Sequence, residues 1–323
     1  MPDNFGRRSV DKSKRSKKRV IIKDCIIGAV VIGFGVGVGI VAANFFKVVK
    51  GSNVVVDRNE LVDDIDEVMA KYNSVKNASN LHEQLRPWEM IDVAMEKFTS
   101  SRNYFSVGVG YTNASIANQA IYASFAKNND KYFEESISTG LINLYDRMYQ
   151  EGDTTTTYWG GSANYSAVTP KTYDAKSYKE LMGRNVSTPS SYIISKKTCL
   201  KSNNLSGRGV TSASKTSKGY QVEIELNPGD DKGVSTYRLQ MKSISGLASL
   251  PSFYYCHLTF NLDFDLNFVD SVVYESYFAE QAAGIGAKMT ASLSTKYYTY
   301  STDSEAYKIP SLNETIAYSE YFK

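Results

Sequence analysis

The stretch LTFNLDFDLNF, residues 258–268, is the part of the sequence that decides the fold. Leu and Phe fill every second position, and the positions between them carry only Thr, Asn and Asp. Because successive side chains of a β-strand point to opposite faces, this pattern gives one apolar face and one polar face. It therefore predicts a half-buried strand of an antiparallel sheet, with one face on the core and one in solvent.

The same alternation recurs along the chain beyond Tyr104. It is clear in Tyr220–Leu226 and in Tyr237–Met241, and turn signals such as Asn227-Pro228-Gly229-Asp230 separate the segments. Further predicted strands cover Tyr104–Tyr111, Gln119–Lys127, Lys131–Ser138, Ile142–Tyr149, Tyr192–Leu200, Ser271–Phe278 and Met289–Ser301. Strands in this order predict one large, curved antiparallel sheet, a half-barrel of roughly ten strands in meander order.

Two helices are predicted before the first strand, which makes the fold class α+β. Asp57 is a candidate N-cap for a helix ending near Tyr72, and Pro87 favours the start of a second helix that ends near Thr99. The second helix has one apolar stripe, formed by Trp88, Ile91, Ala94, Met95 and Phe98. We expect such a stripe to pack on the apolar face of the sheet.

The N-terminal region predicts a membrane anchor. Residues 25–43 contain no charge, and the apolar segment extends to Phe46 before Lys47, which is long enough to cross a bilayer core of about 30 Å. Nine cations precede it, against three anions: Arg7, Arg8, Lys12, Lys14, Arg15, Lys17, Lys18, Arg19 and Lys23. By the positive-inside rule, the short tail stays in the cytoplasm and the rest of the chain is exported.

This topology gives four predicted regions. They are a basic cytoplasmic tail (1–23), a transmembrane helix (24–46), a juxtamembrane spacer and helix (47–85), and an extracytoplasmic half-barrel domain (86–323). A cleaved signal peptide is the alternative, since Val41-Ala42-Ala43 supplies small residues at a cleavable position. Small residues at a spacing of four also favour helix packing within the membrane, at Gly33, Gly35, Gly37 and Gly39.

The charge of the exported part argues against nucleic-acid binding. Removing the nine cations and three anions of residues 1–46 from the totals of 37 and 34 leaves 28 cations and 31 anions. The mild basicity of the whole chain therefore comes from its anchor, and no basic face is expected on the domain.

Several segments resemble the half-barrel envelope proteins of the LolA family and the mycobacterial LppX-type lipoproteins, over about residues 86–315. These segments are Glu89–Phe98, Ile121-Tyr122-Ala123, Lys131–Glu135, Asp146–Tyr149, Thr157–Trp159, Tyr297–Tyr300 and Ile309–Leu312. The resemblance implies a curved sheet whose apolar concave face holds acyl chains. A membrane anchor departs from the carriers of that family, which puts a shuttling role in doubt.

Residues that could carry chemistry are few. His82 and His257 are the only histidines, and both are interpreted as structural or surface residues because no metal-ligand spacing surrounds them. Asp263 and Asp265 share a predicted polar face, and Asp230-Asp231 lies in a predicted hairpin turn. No metalloprotease, P-loop or serine-hydrolase motif occurs. The sequence therefore predicts no enzyme, no cofactor and no metal site.

Two cysteines lie in the exported part, Cys199 and Cys256, both on predicted strands. Export places them in an oxidising compartment, so a disulfide between them is a hypothesis of the sequence. It requires Cα atoms closer than about 7 Å.

From the sequence we expect a single-pass cell-envelope protein without catalytic activity. Its expected partners are membrane lipids, a hydrophobic small-molecule ligand in the half-barrel, and an envelope protein. The alternative is a non-catalytic interaction subunit of a surface or secretion complex. The two hypotheses differ in whether the protein's own Phe and Tyr side chains fill the concave face.

Overall fold

The computed structural model describes residues 60–322, with gaps at 115–116, 141–142, 161–166, 183–184, 188–191, 201–210, 228–231, 239–240, 242–248, 281–285, 301–308 and 311–313. The predicted tail, the predicted span and its four glycines lie outside these residues. No helix within the described part is both long and apolar enough to cross a membrane.

The domain is built on one sheet of eleven strands. They are β1 (Asn103–Ala114), β2 (Ala117–Asn128), β3 (Lys131–Thr139), β4 (Leu144–Glu151), β5 (Thr154–Gly160), β6 (Lys171–Asp174), β7 (Ser212–Lys215), β8 (Tyr220–Glu225), β9 (Ser252–Leu262), β10 (Phe268–Glu280) and β11 (Gly286–Tyr300). Their spatial order is β6-β5-β4-β3-β2-β1-β11-β10-β9-β8-β7, and every pairing is antiparallel. The predicted large antiparallel sheet in meander order is confirmed.

Two meanders make up this sheet, and the pairing of β1 with β11 joins them. Asn103 is paired with Tyr300, and the register continues without a shift to the pair Ala114 and Met289. The pairing brings residues 103–114 next to residues 286–300, although these strands are far apart in the chain. It places the first and last strands at the centre of the sheet, where both have two partners.

In the described part of the chain, five α-helices with defined bounds accompany the sheet: α1 (Ile65–Val75), α2 (Leu81–Gln84), α3 (Pro87–Ser100), α4 (Ala175–Met182) and α5 (Tyr318–Tyr321). α3 begins at Pro87 as predicted, and the Glu89 carboxylate accepts a hydrogen bond from the Arg86 backbone N–H at 2.6 Å. α1 begins at Ile65, where Asp64 caps it; Asp57 lies outside the described residues.

The inner face of the sheet is the face that carries Tyr104, Phe125 and Leu258, and α1 and α3 cover it. Met90, Ile91, Val93, Ala94 and Phe98 of α3 are buried in the same hydrophobic core as these three residues. Val68 and Tyr72 of α1 belong to this core too. The amphipathic helix therefore packs on the apolar face of the sheet, as its stripe predicts.

The outer face is not the uniformly solvated face that we predicted. Over β1–β3 it carries Phe105, Val107 and Phe133, which are fully buried. The end of the chain covers them, since Ile316 and Tyr318 pack in the same cluster. Both faces of β1 and β3 are therefore buried in this part of the sheet, which explains the unbroken buried run of six residues in β3.

The stretch 258–268 is not one continuous strand. β9 ends at Leu262 and β10 begins at Phe268, and the Asp263 carboxylate accepts hydrogen bonds from the backbone N–H groups of Asp265 at 2.9 Å and Asn267 at 2.8 Å. Local carboxylate-to-backbone bonds of this kind stabilise a turn in place of an extended ladder. Leu266 takes a φ of 60° there, a left-handed value that suits a turn.

Two other predicted strands are wrong. In the segment 237–241, Tyr237 and Arg238 are helical, following a 3₁₀ turn at Lys232–Val234. In 192–200 the only strand-like residue is Cys199, in an isolated bridge with Leu226. Both segments instead supply buried side chains to the layer that covers the inner face. Their apolar residues alternate because of this burial, although the backbone is not a strand.

Candidate functional site

A cavity of about 110 Å³ lies between the inner face and the layer that covers it. Met95 of α3 and Tyr192 and Ile194 line it from the covering layer. Its apolar sheet residues are Ala123, Phe125, Leu258, Phe260, Val273 and Leu293. We call this space the inner cavity.

Small residues form part of the sheet side of the inner cavity. Gly108 of β1 lines it, and a Cβ added there would lie 3.0 Å from Oγ1 of Thr295 and 3.2 Å from Cδ1 of Leu293. Ala123 is its neighbour in the paired register of β2. On this face, the positions next to Gly108 also carry short side chains or none, namely Ser106, Gly110, Ala123 and Thr295.

Aromatic side chains of the protein fill much of the remaining inner face. Phe98 of α3 lies against Tyr104, with ring centroids 4.3 Å apart, and against Tyr297 at 5.4 Å. Phe268 stacks on Tyr297 at 4.9 Å. The inner cavity is accordingly smaller than the roughly 300–1,000 Å³ typical of small-molecule sites. A space of this order accepts a group of about the size of benzene.

A buried carboxylate, Glu275 of β10, fixes the covering layer beside the inner cavity. It accepts hydrogen bonds from the hydroxyl groups of Tyr192 and Tyr237, both at 3.0 Å. Burial raises the pKa of Glu275 to about 7, although the two tyrosine hydrogen bonds lower it. Tyr192 also lines the inner cavity, so Glu275 positions one of the residues that close it.

The predicted site residues do not converge on one place. His257 lies on the outer face, where its Nδ1 contacts Oε2 of Glu225 at 3.0 Å. Its interpretation as a hydrogen-bonded, non-ligating histidine is consistent with this geometry. Asp263 caps the turn described above, and Asp230 and Asp231 lie outside the described residues. Among the described residues no group of three His, Cys, Asp or Glu side chains could hold a metal ion.

Sequence reasoning missed Glu275, although a signal was present. In the predicted strand Ser271–Phe278, position 275 falls on the same face as Val273 and Tyr277. An acidic residue on an otherwise apolar face needs a hydrogen-bonding partner when it is buried. Its partners, Tyr192 and Tyr237, come from segments that we interpreted as strands, so the cluster could not be assembled from the sequence.

Cys199 and Cys256 are both buried and both free in the structure. Leu226 lies between them, since it forms the bridge with Cys199 while its backbone N–H donates to the Cys256 carbonyl at 3.0 Å. Two strand spacings amount to about 10 Å, which is too far for a disulfide. The hypothetical bridge is not formed here.

Both thiols should therefore be protected and reduced. Burial raises the pKa of Cys199 to about 11 and that of Cys256 well above its ordinary value, which suppresses the reactive thiolate. In a Cys25→Ser variant of the full chain, we expect a thiol reagent without reductant to label no cysteine in the native protein and two after denaturation. No labelling after denaturation would mean that the two are bridged.

Comparison with known proteins gives only distant structural similarity. No protein family and no curated protein sequence matches the chain. The fold is similar to that of a LolA superfamily protein from Nitrosomonas europaea, at 10% identity and a TM-score of 0.23, over 70% of this chain and 96% of the other. It is also similar to a DUF1329 family protein from Desulfovibrio piger, at 11% identity and a TM-score of 0.21, over 66% and 90%.

A third similar structure is a porin-like protein from Bacteroides uniformis, at 9% identity and a TM-score of 0.19, over 63% of this chain and 98% of that one. The weak LolA-like resemblance of the sequence therefore has an equally weak counterpart in structure. TM-scores this low do not indicate a function. The geometry of the inner cavity is the evidence on which a function can be proposed.

Proposed function

We propose that this protein binds a hydrophobic ligand in the inner cavity, and that it does so at the outer side of a membrane to which residues 24–46 anchor it. The supporting observation is the inner cavity itself, an apolar space between sheet and helix that the protein leaves unfilled. Apolar lining and a few polar groups are typical of ligand sites. The location rests on the uncharged segment and on the cations before it.

The volume of the inner cavity limits the size of the group that it can bind. At about 110 Å³ it holds one small apolar group or the end of one chain. A longer ligand, such as a lipid acyl chain, enters when Tyr192 and Ile194 move away from the sheet. The protein acts as a binding protein in this proposal, without a catalytic step.

The second candidate is a non-catalytic interaction subunit of an envelope complex. It is favoured by the aromatic cluster of Phe98, Tyr104 and Tyr297, which fills the inner face as a core would. In that case the surfaces that matter are the exposed side chains of the sheet, among them Tyr274.

A cavity-filling substitution tests the first proposal. In Ala123→Leu an added isopropyl group enters the inner cavity, so we expect a hydrophobic ligand to be displaced while the thermal midpoint stays unchanged or rises. The full chain is purified gently from its own host in detergent, and native mass spectrometry compares bound masses before and after denaturation. We expect a lipid-sized mass with the wild type and a severalfold lower occupancy with Ala123→Leu.

The matched control is Ala120→Leu, on the same strand but on the outer face, where Ala120 pairs with Tyr111. It should retain the ligand. A bare wild-type mass after incubation with envelope lipids, or equal occupancy in both variants, would contradict the proposal and favour the interaction subunit.

A further inference from the structure

A second pocket lies on the outer face, on the opposite side of the sheet from the inner cavity. Four side chains from three neighbouring strands line its space of about 430 Å³: Glu225 of β8, Tyr255 and His257 of β9, and Tyr274 of β10. The register places them together, since Glu225 pairs with His257 and His257 pairs with Tyr274. We call it the outer pocket.

Glu225 is the buried group of the outer pocket, at 1% exposure. Its Oε2 contacts Nδ1 of His257 at 3.0 Å, whereas its Oε1 has no hydrogen-bond partner among the described residues. Two hydrogen bonds fix the backbone of Glu225. Its carbonyl accepts from the Leu200 N–H at 2.7 Å, and the Glu225 N–H donates to Oγ1 of Thr211 at 3.2 Å. A buried carboxylate oxygen without a donor is costly, so the site is suited to a ligand that donates a hydrogen bond.

The two tyrosines supply aromatic surface beside this carboxylate. Their ring centroids are 5.4 Å apart with an angle of 31° between the planes, and Tyr274 is 43% exposed. The face of a tyrosine ring attracts a cation within about 6 Å of its centroid. The donor that Glu225 lacks is therefore best supplied by a positively charged group.

The surrounding charge favours the same ligand. Glu223 lies two residues from Glu225 on the same face of β8, paired with Thr259. The hydrogen bond that His257 donates to the Glu225 carboxylate raises the pKa of His257, as do the negative charges of Glu225 and Glu223, and partial burial opposes this shift. Glu223 therefore adds a negative charge beside the Glu225–His257 pair, and this charge favours a cationic ligand.

We propose that the outer pocket binds an organic ammonium group carrying N–H donors, with Glu225 Oε1 as acceptor and the Tyr255 and Tyr274 rings as cation-binding faces. This site is separate from the inner cavity and does not depend on the proposed function. An ammonium of this kind occurs both in soluble amines and in lipid headgroups such as ethanolamine.

A catalytic role of the same residues is less well supported. Oγ1 of Thr259 lies 3.3 Å from Nε2 of His257, so the order Thr259, His257 and Glu225 matches that of a nucleophile, a base and an acid. However, β9 runs between β8 and β10, and its backbone N–H groups are used in those two ladders. They are not available to stabilise an oxyanion, which acyl transfer requires.

The test uses saturation-transfer-difference NMR on the purified full chain, with n-butylammonium as probe and n-butanol as its uncharged control. We expect saturable transfer to n-butylammonium that depends on Glu225 and Tyr274, whereas any transfer to n-butanol through the inner cavity should not depend on these two residues. Glu225→Gln keeps the side-chain shape but removes the charge, and it should weaken binding about tenfold or more. Tyr274→Leu should weaken it about two- to fivefold.

Tyr111→Leu is the matched control, because Tyr111 is a similarly exposed tyrosine elsewhere on the sheet, on β1. It should bind n-butylammonium like the wild type. Transfer to n-butanol that falls with Glu225→Gln as far as transfer to n-butylammonium does, or full binding of n-butylammonium by both Glu225→Gln and Tyr274→Leu, would overturn the proposal.

Soluble glycerophosphoethanolamine distinguishes the two sources of the ammonium group. Binding tighter than that of n-butylammonium supports the site and assigns it to a lipid headgroup. Binding of n-butylammonium alone also supports the site and assigns it to a free amine. Failure of Ala123→Leu to displace a hydrophobic ligand would leave these results unaffected, so the two proposals fail separately.

Discussion

Replacing Arg147 with Met is expected to lower the free energy of unfolding by about 3–5 kcal/mol, because it leaves the Glu135 carboxylate buried without its counter-charge. Both side chains are 1% exposed, and Arg147 Nε donates to Glu135 Oε2 at 2.8 Å. The pair lies on the outer face, under the end of the chain. Urea unfolding of the full chain, followed by circular dichroism, measures the loss.

The same pair holds the end of the chain in place. Arg147 donates to the Glu314 carbonyl at 2.6 Å, and the Tyr318 hydroxyl donates to Glu135 at 2.9 Å. Losing Arg147 should therefore expose residues 309–322 to proteolysis as well as weaken the sheet. Mass spectrometry of a limited digest detects that release, and an unchanged digest would show that apolar packing alone holds the segment.

An exposed ion pair between the same two strands provides the control. Lys131 and Glu151 are 2.7 Å apart, but their side chains are 51% and 73% exposed. Lys131→Ala should therefore change the free energy of unfolding far less than Arg147→Met does. The double variant Glu135→Leu with Arg147→Met, which buries no charge, should recover most of the loss. An Arg147→Met variant no less stable than the Lys131→Ala variant would contradict the argument.

Glu275→Gln should stabilise the protein above neutral pH. Since burial raises the folded-state pKa of Glu275 to about 7 from its ordinary value of 4.5, the folded protein favours the protonated carboxyl. Its contribution to stability is therefore complete below about pH 4.5 and is lost as the pH rises through about 7. At pH 8.5 the loss amounts to about 3 kcal/mol.

Glutamine cannot ionise, yet it can accept from one tyrosine hydroxyl and donate to the other. We therefore expect the stability difference between Glu275→Gln and the wild type to grow in favour of the variant between about pH 5 and pH 8.5. Glu280→Gln, at the end of the same strand, is the control and should follow the wild type. Parallel curves for Glu275→Gln and the wild type would show that Glu275 does not titrate in this range.

The periodicity of apolar residues predicted most of the strands and one helix that covers the inner face. Alternation located β1–β3 and β8–β11, and the apolar stripe with Pro87 located α3. The alternation gave wrong strands at 192–200 and 237–241, because these two segments supply buried apolar residues without forming a strand. It also failed at Asp263, where hydrogen bonds from a carboxylate to nearby backbone replaced the ladder.

The candidate sites were less predictable than the fold. Glu225 lies on the polar face of β8 with nothing in its neighbourhood to distinguish it from Glu223, and only the register with β9 brings it to His257. The inner cavity lies between the sheet and Met95, Tyr192 and Ile194, which come from segments distant in the chain. The volume of such a cavity depends on how closely segments that are far apart in the chain pack together.

By itself, the sequence determined the antiparallel meander and its amphipathic helix, because both depend on periodicities between neighbouring residues. It also carries the whole case for a membrane anchor, which stays a prediction. Only the tertiary structure decided that β1 pairs with β11, that residues 314–322 cover the outer face, and that Glu275 meets two tyrosines. These are contacts between distant segments, and their free energy depends on burial and charge pairing, which a local pattern does not specify.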